Sequence, residues 1–196
     1  MNGSSILPLA ADLPAAELAN LSLSPDAHIR AAVATHPNTA PCMLGILATE
    51  FPAEVLMNPA LPLLRLADPR LTQRWPVSAL LALVRQPQAP AWLRRQTLTY
   101  PSTELQVALA SHSNLSTQEM QTLAHHQAWL VRARIAARTD LSPALLADLS
   151  RDRHDAVRLA VASRPDLSRE FLYSFLTDAS RFVQQEARRR TRPHLL

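Results

Sequence analysis

Glycine is almost absent from this sequence of 196 residues, which contains only Gly3 and Gly45. Phosphate-cradling loops, dinucleotide-binding fingerprints and nucleophile elbows each need glycines at fixed offsets, so that the backbone can approach a ligand or adopt a positive φ. Because the two glycines are far apart, none of these motifs can occur in this sequence. The single cysteine, Cys42, excludes an intrachain disulfide and a thiolate metal cluster.

Long apolar runs are also missing. No segment approaches the roughly 20 residues that a membrane-spanning helix needs, and the N-terminus lacks the basic region and apolar core of a signal peptide. We therefore expect a soluble, cytoplasmic protein with no membrane partner. At 47% hydrophobic residues, residues 1–196 can bury a core as a single domain.

Lysine does not occur, so all 20 cationic side chains are arginine and the formal net charge is +4. Residues 1–180 carry 15 arginines and 15 acidic residues, whereas residues 181–196 carry five arginines and one acid, Glu186. The positive charge therefore belongs to the C-terminal end and not to the chain as a whole.

The strongest pattern in the sequence is an internal repeat with a period of about 26 residues, and self-similarity at a fixed period is the sequence signature of a repeat architecture. Copies occur at 29–41, 79–90, 105–116, 131–142 and 157–168 and, incompletely, from Asp12 and from Val183. The copies at 29–41 and 79–90 are slightly closer than two full periods.

Each repeat is predicted to form two short helices, A and B. Helix A has apolar residues at i, i+3 and i+4, as at Val157, Ala160 and Val161. Helix B follows a serine in the N-cap position, preceded by a leucine at hydrophobic-staple spacing, in three successive copies (Ser116, Ser142, Ser168). The predicted fold class is all-α, an α-solenoid of about seven two-helix repeats.

The proline-rich segment 52–76 interrupts this pattern with five prolines. Proline removes a backbone donor and clashes with the preceding turn, so we expect short turns and 3₁₀ pieces here. Their predicted packing residues are Val55, Leu56, Leu63, Leu64 and Leu66. The single domain then consists of an N-terminal cap (1–12), repeats (13–51), the proline-rich irregular repeat (52–76), regular repeats (77–180) and an arginine-rich C-terminal cap (181–196).

The repeat resembles the leucine-rich repeat variant family, a HEAT-like class of short helical repeats. The matching residues are Val157-Arg158, Ala160-Val161-Ala162 and Pro165, with their equivalents in the copies that begin at Ile29 and Val131. The resemblance covers about residues 13–192 and implies a right-handed superhelix, and the stretch 58–64 is similar to an insert in bacterial members. Some members carry an iron–sulfur cluster in a cysteine-rich module, which Cys42 alone cannot provide, so no cofactor is expected.

Two columns of polar residues recur in register. The first precedes the end of helix A and comprises His36, Gln86, His112, Arg138, Arg164 and Arg190. It either contacts phosphates or an acidic partner, or complements helix dipoles at their C-termini. The second comprises Arg30, Arg132 and Arg158, which we expect to pair with nearby acids such as Asp26, Asp152 or Asp155.

Several further cations are candidates for binding. Arg134 replaces the alanine of other copies and either lies along a widened interface or is a surface feature. Arg94 and Arg95 follow Trp92, which with Trp75 and Trp129 provides either stacking platforms or core packing. Arg188 and Arg189 belong to a tail that either binds nucleic acid or an acidic partner, or is the polar cap of a terminal repeat.

The carboxylates occur singly at helix starts, where capping explains them, so no catalytic or metal residues are predicted. The sequence favours a non-enzymatic scaffold that binds a protein through its concave face or a repeat edge. A nucleic-acid-binding module using an arginine-rich edge and the tail is the alternative, followed by a helical-repeat enzyme of the DNA-repair type. The candidate macromolecule-binding residues are Arg94, Arg95, Arg134, Arg138, Arg164, Arg188, Arg189 and Arg190.

Overall fold

The computed structural model describes residues 9–192, which contain α-helices and short 3₁₀ helices and no β-strand. The all-α prediction is confirmed for this range. The α-helices are α1 (Ala15–Leu21), α2 (Ala27–Thr35), α3 (Pro41–Leu47), α4 (Pro52–Leu56), α5 (Leu61–Ala67), α6 (Val77–Val84), α7 (Ala91–Thr97), α8 (Thr103–Ala110), α9 (Thr117–Ala124), α10 (Trp129–Ala136), α11 (Pro143–Ser150), α12 (Asp155–Ala162), α13 (Arg169–Tyr173) and α14 (Arg181–Thr191). The 3₁₀ helices are Leu71–Arg74 and Ser174–Thr177. Within the described range, no helix is both long enough and apolar enough to cross a bilayer.

The chain divides into two compact units, Met1–Thr97 and Leu98–Leu196. Each unit has its own set of fully buried side chains, such as Leu44 and Leu83 in the first and Leu109 and Ile135 in the second. The single domain predicted from the sequence remains a prediction. Positions 1–8 of the predicted N-terminal cap and 193–196 of the predicted C-terminal cap lie outside the described residues.

In the second unit the helices recur with the same period as the sequence repeat. The A helices α8, α10, α12 and α14 begin one sequence period apart, and each packs against the next. The B helices α9, α11 and α13 also begin one period apart. Val131, Ile135 and Ala136 on α10 are fully buried, as the i, i+4 spacing of helix A predicts.

Serine caps fix the start of each B helix in the second unit. The hydroxyl oxygens of Ser142 and Ser168 accept hydrogen bonds from backbone N–H groups three residues on. Ser116 does the same, and the Glu119 carboxylate accepts from the Ser116 N–H at 2.7 Å, which completes the predicted capping box. Each such cap stabilises a helix by about 1 kcal/mol.

The proline-rich segment of the first unit contains two α-helices, α4 and α5, and the 3₁₀ helix Leu71–Arg74. The expectation of short turns and 3₁₀ pieces is therefore wrong for α4 and α5. Pro52 and Pro62 lie in the first turns of α4 and α5, where a missing N–H costs nothing. Val55 is fully buried, but Leu63 and Leu66 are 67% and 71% exposed, so their predicted packing is wrong. Because α5 begins at Leu61, which is buried, positions 63 and 66 lie on its outer face.

Gly45 lies in α3 against the indole of Trp75. A Cβ at position 45 would lie 2.5 Å from Cδ1 and 2.7 Å from Cγ of that ring. Trp75 is buried, and its Nε1 donates to the Pro41 carbonyl at 3.1 Å. The ring therefore cannot retreat without losing this hydrogen bond, and only glycine fits at position 45.

Gly45→Ala is expected to lower the free energy of unfolding by about 1–3 kcal/mol through overpacking. Alanine in an unobstructed helix position would instead raise it by about 1 kcal/mol. Urea unfolding of the variant measures the sign directly. Combining the substitution with Trp75→Leu should give a less than additive loss, and a stability gain for Gly45→Ala alone would contradict the close contact.

Candidate functional site

Arg132 on α10 closes the loop that precedes its own helix. Its Nε and Nη2 donate to the two carboxylate oxygens of Asp152 at 2.7 and 2.9 Å. Its Nη1 donates to the carbonyls of His126 and Gln127 at 2.8 and 2.9 Å. Both side chains of the ion pair are less than a tenth exposed, so this arginine is part of the interior.

The same arrangement recurs one period later and in the first unit. Arg158 donates to both oxygens of Asp178 at 2.7 and 2.8 Å and to the Asp152 carbonyl. Its hydrogen bond lowers the pKa of the Asp178 carboxyl below the ordinary value. Arg30 pairs with Glu50. In each pair the acid lies 20 residues after the arginine. Of the acids suggested from the sequence, Asp26, Asp152 and Asp155, it is Asp152 that receives such a bidentate bond.

Glutamine takes the place of this arginine in two copies. Gln106 Nε2 donates to the carbonyls of Leu98 and Tyr100 at 3.2 and 3.1 Å. Gln184 Nε2 donates to the Asp178 carbonyl at 2.6 Å. Donation to the preceding loop is therefore the shared role of this position, and the arginines of the column are structural.

The three arginines of the other column join their repeats to the preceding ones. Arg138 Nη1 donates to the His112 carbonyl at 2.6 Å, and Arg190 Nη1 donates to the Ala162 carbonyl at 2.5 Å. Arg164 donates in the same way to the Arg138 carbonyl. The accepting groups lie at or just beyond the C-termini of the preceding A helices, where a cation also complements the helix dipole.

These arginines are consequently withdrawn from solvent. Arg164 is 2% exposed, and its guanidinium is also bonded to Asp166. Arg138 binds Asp140, and this hydrogen bond lowers the pKa of the Asp140 carboxyl. Arg190 is half-buried. Arg138, Arg164 and Arg190 hold neighbouring repeats together, and their guanidinium groups are engaged in bonds within the chain.

The remaining candidate cations differ in accessibility. Arg94 is half-buried and donates to the Ala89 carbonyl at 2.7 Å, whereas Arg95 is exposed; both lie in the first unit. In the second unit Arg134 and Arg188 are exposed. Arg189 is also exposed but forms an ion pair with Glu186 at 2.7 Å.

The three tryptophans differ in exposure. The side chain of Trp75 is buried in the core. Trp92 is half-buried, with the Arg65 guanidinium carbon 5.1 Å from its ring centroid. Trp129 is 41% exposed and stacks on His154, with ring centroids 4.4 Å apart.

Sequence reasoning missed two equivalent pockets beside the B helices of the second unit. One pocket, of about 340 Å³, has as its lining Ala124, His125, Leu145, Asp148, Leu149 and Asp152. The other, of about 540 Å³, has as its lining Ser150, Arg151, Phe171, Ser174, Phe175 and Asp178. Each residue of the second set lies one period after its counterpart in the first. We call this repeated site the inter-repeat grooves.

The inter-repeat grooves combine apolar walls with charges of both signs. The Arg132–Asp152 ion pair lies in the first groove, with exposed Asp148 and Arg153 beside it. In the second groove, exposed Arg151 and Glu170 accompany the ring of Phe171. Such a surface can accept apolar side chains and hydrogen-bond to polar groups around them.

A third depression, of about 540 Å³, lies on α14. Its lining consists of Arg181, Gln184, Gln185, Arg188, Arg189 and Arg192. Between residues 9 and 192 there is no group of three or more histidine, cysteine or acidic residues arranged to hold a metal ion.

Comparison with known proteins gives no relative. A scan against models of protein families finds no match. A search of curated proteins and a search of solved structures likewise give no significant match.

Proposed function

We propose that this chain is a helical-repeat scaffold, an α-solenoid of two-helix units, that binds a protein partner through the inter-repeat grooves. The observation that carries the proposal is the recurrence of one groove at the repeat period. A repeated, accessible concavity gives a partner several equivalent contacts along one surface.

The charges around the grooves favour a protein over a polyanion. Acidic side chains at the rim, Asp148 and Glu170, would repel phosphates, whereas Arg151 and Arg153 beside them balance the sign. The apolar walls formed by Leu145 and Phe171 provide burial for an inserted side chain. Mixed polarity around apolar contacts is typical of non-obligate protein interfaces.

The repeat spacing indicates the shape of the partner segment. Packed helices lie about 8–10 Å apart, so successive grooves are separated by a similar distance. A polyproline II segment rises about 3.1 Å per residue with three residues per turn. Side chains at i and i+3 of such a segment therefore point the same way, about 9 Å apart, and fit two neighbouring grooves.

A peptide selection tests this proposal. Random peptides displayed on phage are selected on the immobilised chain, and the dissociation constants of the selected peptides are measured by calorimetry. The groove variant Asp148→Arg with Arg153→Glu reverses two exposed rim charges and keeps the net charge. It should weaken binding about tenfold, equivalent to about 1.4 kcal/mol.

The matched control reverses one charge of each sign on the exposed sides of α8 and α10, with Glu104→Arg and Arg134→Glu, and leaves the grooves intact. It should change affinity less than about twofold, as surface substitutions away from contacts do. Failure to select any peptide, or an equal loss in the control, would refute binding through the grooves.

A further inference from the structure

The last helix and the residue that directly follows it carry a stripe of arginines that is distinct from the inter-repeat grooves. Arg181, Arg188 and Arg192 are exposed and line the depression on α14. Their positions, i, i+7 and i+11, fall on one face of a helix with about 3.6 residues per turn. Gln185 lies between them on the same face. We call these three residues the α14 arginine stripe.

No acid neutralises the α14 arginine stripe among the described residues. Arg188 donates to Gln184 Oε1 at 3.3 Å, and neither Arg181 nor Arg192 forms an ion pair within residues 9–192. The acid of this helix, Glu186, is bonded through both oxygens to Arg189. Buried arginines elsewhere in the unit, such as Arg132, each have a carboxylate, whereas the stripe is a local excess of positive charge.

Repulsion between these positive charges lowers the stability of the folded chain, and a bound anion would remove this repulsion. Arg188 and Arg192, which directly follows α14, are four residues apart, a spacing at which like charges repel each other. An anion that bridges them reverses the sign of this contribution. The stripe extends about 16 Å along the helix at about 1.5 Å per residue, which suits an anion with several charges in a row. Arginine binds phosphate with two parallel N–H donors, which makes phosphates the preferred charges.

An exposed aromatic ring lies beside the stripe. Phe182 follows Arg181 directly and is 70% exposed. Proteins that bind single-stranded nucleic acid combine a cationic track for the backbone with aromatic rings on which unpaired bases stack. An acidic peptide needs the cations alone, and a duplex does not offer free base faces.

We propose that the α14 arginine stripe and Phe182 bind single-stranded nucleic acid. The arginines contact consecutive phosphates, and one base stacks on the Phe182 ring. This surface goes beyond the protein-binding grooves and does not depend on them. It also revises the tail expected from the sequence, because Arg190 is turned to the Ala162 carbonyl and Arg189 to Glu186, while Arg181 and Arg192 take their place.

Fluorescence anisotropy with a labelled oligothymidylate of about 12 nucleotides tests the proposal on the full chain. Binding at low salt is expected, and log K should fall with log salt with a slope of about −2, because three phosphate contacts on a single strand contribute about −0.7 each. Changing Arg181, Arg188 and Arg192 together to glutamine should weaken binding about 10- to 100-fold and reduce the slope towards zero.

The matched control removes three exposed arginines from the same unit, with Arg134→Gln, Arg151→Gln and Arg153→Gln. It makes the same change in net charge and should weaken binding less than about threefold, through the long-range field alone. Phe182→Ala should weaken binding about tenfold without changing the salt slope, since stacking releases no counterions. Circular dichroism confirms that each variant keeps its helix content.

Three results would overturn the proposal. They are absence of binding at low salt, equal or tighter binding of an oligoglutamate of the same length, and insensitivity of oligothymidylate binding to Phe182→Ala. The groove variant Asp148→Arg with Arg153→Glu should retain oligonucleotide binding, so failure of this proposal and failure of the protein-binding proposal are separate outcomes.

Discussion

Replacing Arg132 with alanine is expected to lower the free energy of unfolding by about 3–5 kcal/mol, the loss typical of a buried ion pair that keeps one partner. The Asp152 side chain is only 9% exposed and would be left in the interior without its guanidinium partner. The carbonyls of His126 and Gln127 would lose a donor in addition. Urea unfolding followed by circular dichroism measures the loss.

Arg134→Ala is the matched control, because Arg134 lies on the same helix two residues away and is exposed. Its effect should be within about 0.5 kcal/mol of zero. Arg132→Gln combined with Asp152→Asn should recover part of the loss, since Gln106 and Gln184 serve the equivalent position in other copies. Equal stability of Arg132→Ala and Arg134→Ala would contradict a structural role for the ion pair.

Replacing Asn58 with alanine is expected to lower the free energy of unfolding by about 3 kcal/mol, because each buried polar group left without a partner destabilises the fold by about 1–3 kcal/mol. Asn58 is 2% exposed, and its Nδ2 donates to the carbonyls of Ala34 and His36 at 2.8 and 2.9 Å. Its Oδ1 accepts from the Ala60 N–H at 2.9 Å. The side chain thereby closes the C-terminal end of α2, and thermal or urea unfolding reports its contribution.

Two companion variants separate hydrogen bonding from packing at this site. Asn58→Asp keeps the side-chain volume but places an oxygen against two carbonyl oxygens, so it should destabilise at least as much as alanine. Asn20→Ala changes an exposed asparagine on α1 and should be nearly neutral. Tolerance of Asn58→Asp would show that the two donated bonds contribute little.

The elements that the sequence predicts well are those with local signals. The capping box of Ser116 and Glu119 and the caps at Ser142 and Ser168 involve residues three positions apart. Because the copies in the second unit are a constant 26 residues apart, a helix predicted in one copy is also predicted at the equivalent position of the next copy. The helices of the second unit were therefore predictable from a single well-marked repeat.

Contacts across longer separations were not predictable. The pairing of Arg158 with Asp178 spans 20 residues, and Asp155 on the same helix is an equally plausible partner from sequence alone. The contact between Gly45 and Trp75 joins α3 to the end of a 3₁₀ helix, with no local pattern to mark it. Asn58 resembles a turn residue in the sequence because it precedes a proline, yet its main contacts lie on α2.

The candidate surfaces were only partly visible in the sequence. Register and charge mark Arg138 and Arg164 as candidates in the sequence, but the same register directs them into the preceding repeat. The inter-repeat grooves would have required comparison of Leu145 with Phe171 and of other pairs one period apart. Exposure, which distinguishes the α14 arginine stripe from the buried arginines, depends on packing and cannot be obtained from residue type.

The bonds from Arg138 and Arg190 to the preceding repeat also determine when each repeat can be completed during synthesis. They join residues 26 and 28 positions apart, so the carbonyl groups at the end of one A helix remain without these partners until the next repeat has emerged. At about 5–20 residues per second, that interval is about one to six seconds. Because this sequence separation is nearly the same for successive repeats, each repeat can fold onto the preceding one during synthesis. The contact order then stays low as further repeats are added.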